Sequence, residues 1–145
     1  MGRATVYRHW PRSDQLLLDV MAGADLPLFK DPEAPVRRWL HRQLRQLADE
    51  LMAPAVAGLS LTLMQSAIWD PEIARRRDES NKAIGERLEA AIRFAVAGGE
   101  LTIEVDPANL TAMLVGPIVY RTAMQREAAS DDMIARLVDG VGTWR

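Results

Sequence analysis

A chain of 145 residues is long enough to form one domain with its own hydrophobic core. The absence of cysteine excludes disulfides, thiolate metal sites and cysteine nucleophiles, and favours a reducing, cytoplasmic location. No apolar run is long enough to span a bilayer, so we expect no membrane partner.

The net charge of −2 is unevenly distributed along the chain. The first 13 residues contain three arginines and no acid, a charge of +3, and the remainder carries −5. A basic N-terminal segment, here called the head, followed by an acidic remainder is typical of a protein that binds a polyanion with one end. The alternative is a chance cluster of three arginines.

Two helices are predicted before residue 25. A short one covers Ala4–His9 and stops before Pro11, and Ser13 caps a longer one that runs to Ala22. A helix of fewer than about 12 residues is marginal in water, so the first must pack against something else.

Three further helices are predicted in the middle of the chain, after a proline-rich connection over residues 25–36. The first of these helices is predicted over residues 36–51, because its apolar residues recur at helical spacing. Its opposite face carries Arg37, Arg38, Arg42 and Arg45. Pro54 suits the first turn of the second helix, and Asp70 and Pro71 separate it from the third. Gly98 and Gly99 end the third.

The last two predicted helices follow Asp106-Pro107 and Ser130, which are both typical of helix starts. The stretch "LTAMLVGPIVYRTAM" is apolar on nearly every side, so we expect part of it to face a second subunit. The alternative is a buried helix of a monomer. The fold class is therefore all-α, a helical bundle. The predicted dimer interface comprises Leu114, Ile118 and Val119 on the first of these two helices, and Ile134, Leu137, Val138 and Val141, which are predicted to lie on one face of the last helix.

Catalytic and metal-binding patterns are weak in this sequence. His9 and His41 have no metal-ligand spacing, and the acids fall on predicted polar faces and helix caps. We therefore expect no enzyme activity, no metal and no cofactor. The run Arg75, Arg76 and Arg77 could attract an anion, but a solvated face paired with Asp78 and Glu79 is the favoured interpretation.

The opening stretch "RATVYRHWPRSDQLLLDVM" resembles the end of the helix-turn-helix domain in TetR-family transcriptional regulators. The recognition helix of that family ends in threonine, a hydrophobic residue, tyrosine, any residue, histidine or arginine, and an aromatic residue before a proline-containing turn. Thr5, Val6, Tyr7 and Arg8 to Trp10 occupy those places here. The stretch "AVAGGELTIEVDPANLTAMLVGPIVYR" is similar to the C-terminal domain of the same family.

The resemblance implies a DNA-binding role for the head. Thr5, Tyr7 and His9 would contact the DNA backbone, while Arg3 and Ala4 would lie nearer the bases. Arg8 could serve either purpose. The family commonly has a lysine after the turn where this chain has Ser13, and Arg12 is the candidate for the missing phosphate contact.

The resemblance also implies two domains, a helix-turn-helix remnant over residues 1–12 and a ligand-binding and dimerisation domain over residues 13–145. Such a head needs about two more helices, and only Met1 and Gly2 precede Arg3. We expect a fragment, a misplaced start or a natural short form. We also expect no sequence-specific DNA binding by this polypeptide alone.

The regulatory domain of such proteins encloses an effector pocket, and we expect a small apolar effector here. The function implied is a ligand-responsive regulator, a repressor, that binds operator DNA as a homodimer when its head is complete. The alternative is a truncated helical dimer that binds a small molecule or a full-length partner and no DNA. The candidate pocket residues, each of which could equally be core, are Met52, Leu63, Met64, Gln65, Trp69, Phe94, Met113 and Tyr120.

Overall fold

The computed structural model describes residues 27–145, so the helices predicted at residues 4–9 and 13–22 lie outside the described residues. The described part contains five α-helices and one two-stranded sheet. The helices are α1 (Val36–Met52), α2 (Pro54–Trp69), α3 (Pro71–Ala97), α4 (Leu110–Val119) and α5 (Asp131–Asp139). The expected all-α class is confirmed.

Helix α1 lies at the centre of the core because its apolar residues recur every three or four positions. Its buried face includes Val36, Leu40, Leu44 and Leu51, while its arginines lie on the opposite face, as predicted. The backbone N–H of Val36 donates to Oε2 of Glu100 at 2.7 Å, so a carboxylate from a distant turn caps the helix.

The next two helices begin and end where the local sequence predicts. Helix α2 follows α1 after a bend of 92° and starts with Pro54 in its first turn. Oδ1 of Asp70 accepts hydrogen bonds from the N–H groups of Glu72 and Ile73, which starts α3. Gly98 ends α3, and Gly99 follows with a φ of 74°, a conformation that favours glycine.

The apolar stretch after residue 106 changes its helical geometry twice. A 3₁₀ turn over Pro107–Asn109 leads into α4, and a π-helical turn over Tyr120–Met124 follows it. Pro117 lies inside α4 and has no N–H to donate, which weakens the regular helical ladder just before the π turn. The Ser130 hydroxyl accepts a hydrogen bond from the N–H of Met133 and caps α5, as predicted.

The sequence interpretation missed two short strands and overextended the last helix. Strands β1 (Leu101–Ile103) and β2 (Gly142–Trp144) pair antiparallel, with Leu101 opposite Trp144. Helix α5 ends at Asp139, so Val141 lies in the turn before β2 instead of on the helix. Three-residue strands are too short to show an alternating pattern, and they leave the fold class unchanged.

The connection before α1 contributes to the core. Leu28 and Phe29 are buried, although proline on both sides predicts only a surface link. The N–H of Phe29 donates to Oε1 of Gln43 at 2.7 Å, and the Arg87 guanidinium donates to the carbonyl of Leu28. These bonds satisfy backbone groups that burial removes from water.

Candidate functional site

The residues predicted to bind DNA belong to the part of the chain before residue 27. They therefore lie outside the described residues, and their role stays a prediction. These residues are Arg3, Ala4, Thr5, Tyr7, Arg8, His9 and Arg12.

The residues predicted to bind the effector lie mostly on the surface of the described part. Met52 and Leu63 are half-buried, whereas Met64, Gln65 and Phe94 are exposed. Trp69 is 81% exposed at the end of α2. Most of these side chains are therefore exposed in the described part of the chain, and their role in binding an effector stays a prediction.

Helix α2 has an unusual surface for a helix on the outside of a bundle. It carries no charged residue from Pro54 to Trp69, yet only Ala57 and Ala67 are buried. Near its end, Ile68 is 69% exposed. An apolar helix needs cover, so this surface is a candidate for an apolar partner or ligand.

Most residues of the predicted dimer interface are buried within a single chain. Within one chain, Leu114 and Ile118 are fully buried, and Val119 is half-buried. Ile134, Val138 and Val141 are also buried, and Leu137 packs against the core. Five of the seven predicted interface residues therefore have almost no surface to present to a second copy.

The exposed face of α4 and the π turn instead carries Met113, Gly116, Tyr120 and Met124. Two of them, Met113 and Tyr120, were predicted to line the effector pocket. Apart from its chain neighbours and the backbone of its own helix, no described atom lies within 4 Å of the position that a Cβ on Gly116 would occupy, so packing among residues 27–145 does not require glycine there. A glycine inside a helix lowers the stability of the helix by about 1 kcal/mol relative to alanine. The presence of glycine at position 116 is therefore not explained by the stability of the helix.

Arg126 was not singled out in the sequence, but it joins the π turn to the end of α1. Its Nη1 donates to the carbonyl of Leu51 at 2.9 Å, and its Nη2 donates to the carbonyl of Met52 at 2.7 Å. These carbonyls have no partner further along α1, and the negative end of the helix dipole favours a cation there. The basic residue between two predicted helices is the only signal that sequence offered.

The arginine run on α3 is ion-paired and exposed, as predicted. Arg75 contacts Glu72 and Glu79, and Arg77 contacts Asp78. Hydrogen bonding to the Arg75 side chain lowers the pKa of Glu72, and the same bond raises the pKa of Arg75. The run is therefore a solvated helix face whose cations have local partners.

Residues 27–145 contain no metal-binding cluster and no single helix suited to span a membrane. No three histidine, aspartate or glutamate side chains lie together in a way that could hold a metal ion. No single helix in this range is both long and apolar enough to cross a membrane, and α1 and α2 meet that test only as a pair bent by 92°.

The described residues form a helical bundle around α1, in which the uncharged helices α2 and α4 are partly exposed. Residues 33–141 match the family model described as Tetracyclin repressor-like, C-terminal domain. The match covers most of the chain, and the chain belongs to this family, which confirms the resemblance to TetR-type regulators. A comparison with curated proteins gave no match. Domains of this family are in general regulatory and not enzymatic.

Proposed function

We propose that this chain is the ligand-responsive half of a TetR-type transcriptional repressor that works as a homodimer. The observation that carries the proposal is the family match over residues 33–141. It is supported by two exposed apolar surfaces among residues 27–145, one on α2 and one on α4. An effector and a second copy of the chain are the two occupants that such a regulator requires.

We propose that the uncharged surface of α2 forms one wall of the effector site. The effector would then be a small apolar molecule, because no charge on this helix could compensate a buried ionic group. Leu63, Met64 and Trp69 would contact it directly, whereas Met52 and Phe94, at the ends of α1 and α3, are left outside this wall. Gln65 would supply a polar contact.

The neutral fluorescent probe N-phenyl-1-naphthylamine tests this site directly. We expect binding that Met64→Glu weakens by at least about tenfold, because a carboxylate in an apolar site must be desolvated. Val96→Glu is the matched control, since Val96 is similarly exposed but lies at the far end of α3. Equal binding by the two variants would count against the α2 site.

We propose that the second copy packs on the exposed face of α4. Gly116 would allow the two α4 backbones to approach closely, and Met113, Tyr120 and Met124 would bury their apolar surface around it. In this proposal Met113 and Tyr120 belong to the dimer interface, although the sequence predicted them to line the effector pocket. Val119 and Leu137 would lie at its margin.

We propose that operator DNA is bound through a helix-turn-helix head to which residues 3–12 belong. A gel shift with the promoter of the chain's own gene tests this, using a chain extended by any in-frame sequence upstream of Met1. Salt-sensitive, sequence-dependent binding would support the repressor. Its absence would favour the alternative of a helical dimer that binds a small molecule or a full-length partner.

A further inference from the structure

A groove of about 470 Å³ lies on the described part of the chain, away from α2 and from the exposed face of α4. Its walls come from four separate segments that the fold brings together, including the turn that carries Glu100. The first turns of α1 contribute Arg38 and His41, the end of α5 contributes Asp139, and β2 contributes Trp144. Its size lies within the range of small-molecule sites.

The groove is basic although the chain as a whole carries −2. Four arginines line it, against the two acids Glu100 and Asp139. Both acids are already engaged: Glu100 accepts from the N–H of Val36, and Asp139 accepts from Nε and Nη2 of Arg37 at 2.9 and 2.6 Å. Arg37 is paired with Asp139 and Arg42 with Glu33, which leaves Arg38 as the groove arginine of α1 without an ion pair among the described residues.

Arg38 is the cation best placed to receive a ligand. Its side chain is exposed and has no hydrogen bond or ion pair to any other residue in the described range. An arginine guanidinium binds a carboxylate through two parallel hydrogen bonds, and such charge-assisted bonds are stronger than neutral ones.

Trp144 gives the groove a fixed aromatic wall. Its Nε1 donates to the carbonyl of Val138 at 3.0 Å, and the pairing of β2 with β1 holds its backbone. An indole held in this way offers a flat face for a planar apolar group. Pro35 and Ala135 add further apolar surface.

We propose that this groove binds a small aromatic carboxylate, with the carboxylate held by Arg38 and the ring against Trp144. This site is separate from the effector site on α2, which has no charge to hold an anion. The two sites are therefore expected to bind different classes of ligand, and the proposal for one can be contradicted without affecting the proposal for the other.

The proposal is tested by calorimetric titration of the whole chain with 2-naphthoate. We expect Arg38→Ala to weaken binding by about tenfold, since it removes a charge-assisted contact. Arg136→Ala is the matched control, because Arg136 is an exposed arginine on α5 that does not line the groove, and we expect unchanged binding. The neutral analogue 2-naphthylmethanol should bind at least about tenfold more weakly.

The location of the probe is checked by the NMR signal of the Trp144 indole N–H, which should shift on titration. Arg38 is exposed and unpaired within the described range, so its removal is expected to leave the circular dichroism spectrum unchanged. Absence of 2-naphthoate binding, or equal binding by Arg38→Ala and Arg136→Ala, would overturn the proposal. Equal affinity for inorganic phosphate, or loss of 2-naphthoate binding in Met64→Glu, would overturn it as well.

Discussion

Arg126 shows how one side chain stabilises a junction between three parts of the fold. Its guanidinium contacts the last carbonyls of α1 and also the carbonyl of Thr122 in the π turn. The hydroxyl of Thr122, itself fully buried, donates to the carbonyl of Ile118 at 2.7 Å. The irregular end of α4 is thus held against the bend between α1 and α2.

We expect Arg126→Ala to lower the free energy of unfolding by about 1.5 kcal/mol, because it leaves helix-end carbonyls without their charged donor. Urea unfolding followed by circular dichroism measures the change. Arg121→Ala is the matched control, since it removes an exposed ion pair with Glu127, which is worth about 0–1 kcal/mol. Equal losses in the two variants would contradict the role assigned to Arg126.

The ion pairs on α3 predict a pH dependence at one residue. The Arg75 side chain lowers the pKa of Glu72, so the contribution of this pair to stability is present above the unfolded pKa. It is lost as the pH falls through the lower, folded pKa. In an NMR titration, Arg75→Gln should raise the pKa of Glu72 towards its ordinary value, whereas Arg77→Gln should change it little. A pKa that stays low in Arg75→Gln would contradict this assignment.

At the level of elements, the pairing of β1 with β2 depends on glycine at position 142. A Cβ at this position would lie 2.2 Å from the carbonyl oxygen of Thr102, which no side chain can occupy. The pairing also positions Trp144 in the basic groove. Loss of the pairing between β1 and β2 would therefore change the position of the last residues and the shape of the groove.

We expect Gly142→Ala to destabilise the fold by about 1–3 kcal/mol, because the strand must move away from its neighbour. Gly58→Ala makes the same chemical change inside α2, where no described atom lies within 4 Å of the added Cβ. That variant should gain up to about 1 kcal/mol from helix propensity. Thermal unfolding measures both, and a loss of stability in both variants would contradict the distinction.

The starts and ends of the helices could be predicted because their signals are local. Asp70, Ser130 and Pro54 each act on the next few backbone groups, and the structure confirms all three. The strand pairing could not be predicted in this way. It joins Leu101 to Trp144 across the whole of α4 and α5, and three residues carry no periodicity.

Which side of α4 is buried could not be predicted from the sequence, for a different reason. Apolar residues surround this helix, so the pattern indicates that it is covered but not which neighbour covers which side. The structure places Leu114 and Ile118 against the chain's own core and leaves Met113 and Tyr120 at the surface. Residue type alone does not distinguish these two pairs.

At the level of the whole molecule, the proposed function requires the assembly of two chains. Helix-turn-helix dimers bind two DNA half-sites about 34–36 Å or a multiple of it apart, so the proposed repressor would need a second copy to set this spacing. We propose the exposed face of α4 for that contact. An effector bound on α2 could then alter DNA binding only by favouring one arrangement of the dimer over another.

The most direct test of the account is the mass of the protein in solution, measured by light scattering. We predict twice the mass of one chain for the wild type and the mass of one chain for Tyr120→Glu, with an unchanged circular dichroism spectrum. Arg136→Glu, on the exposed side of α5, should stay dimeric. A monomeric wild type at micromolar concentration, or a dimer that Tyr120→Glu leaves intact, would contradict the account.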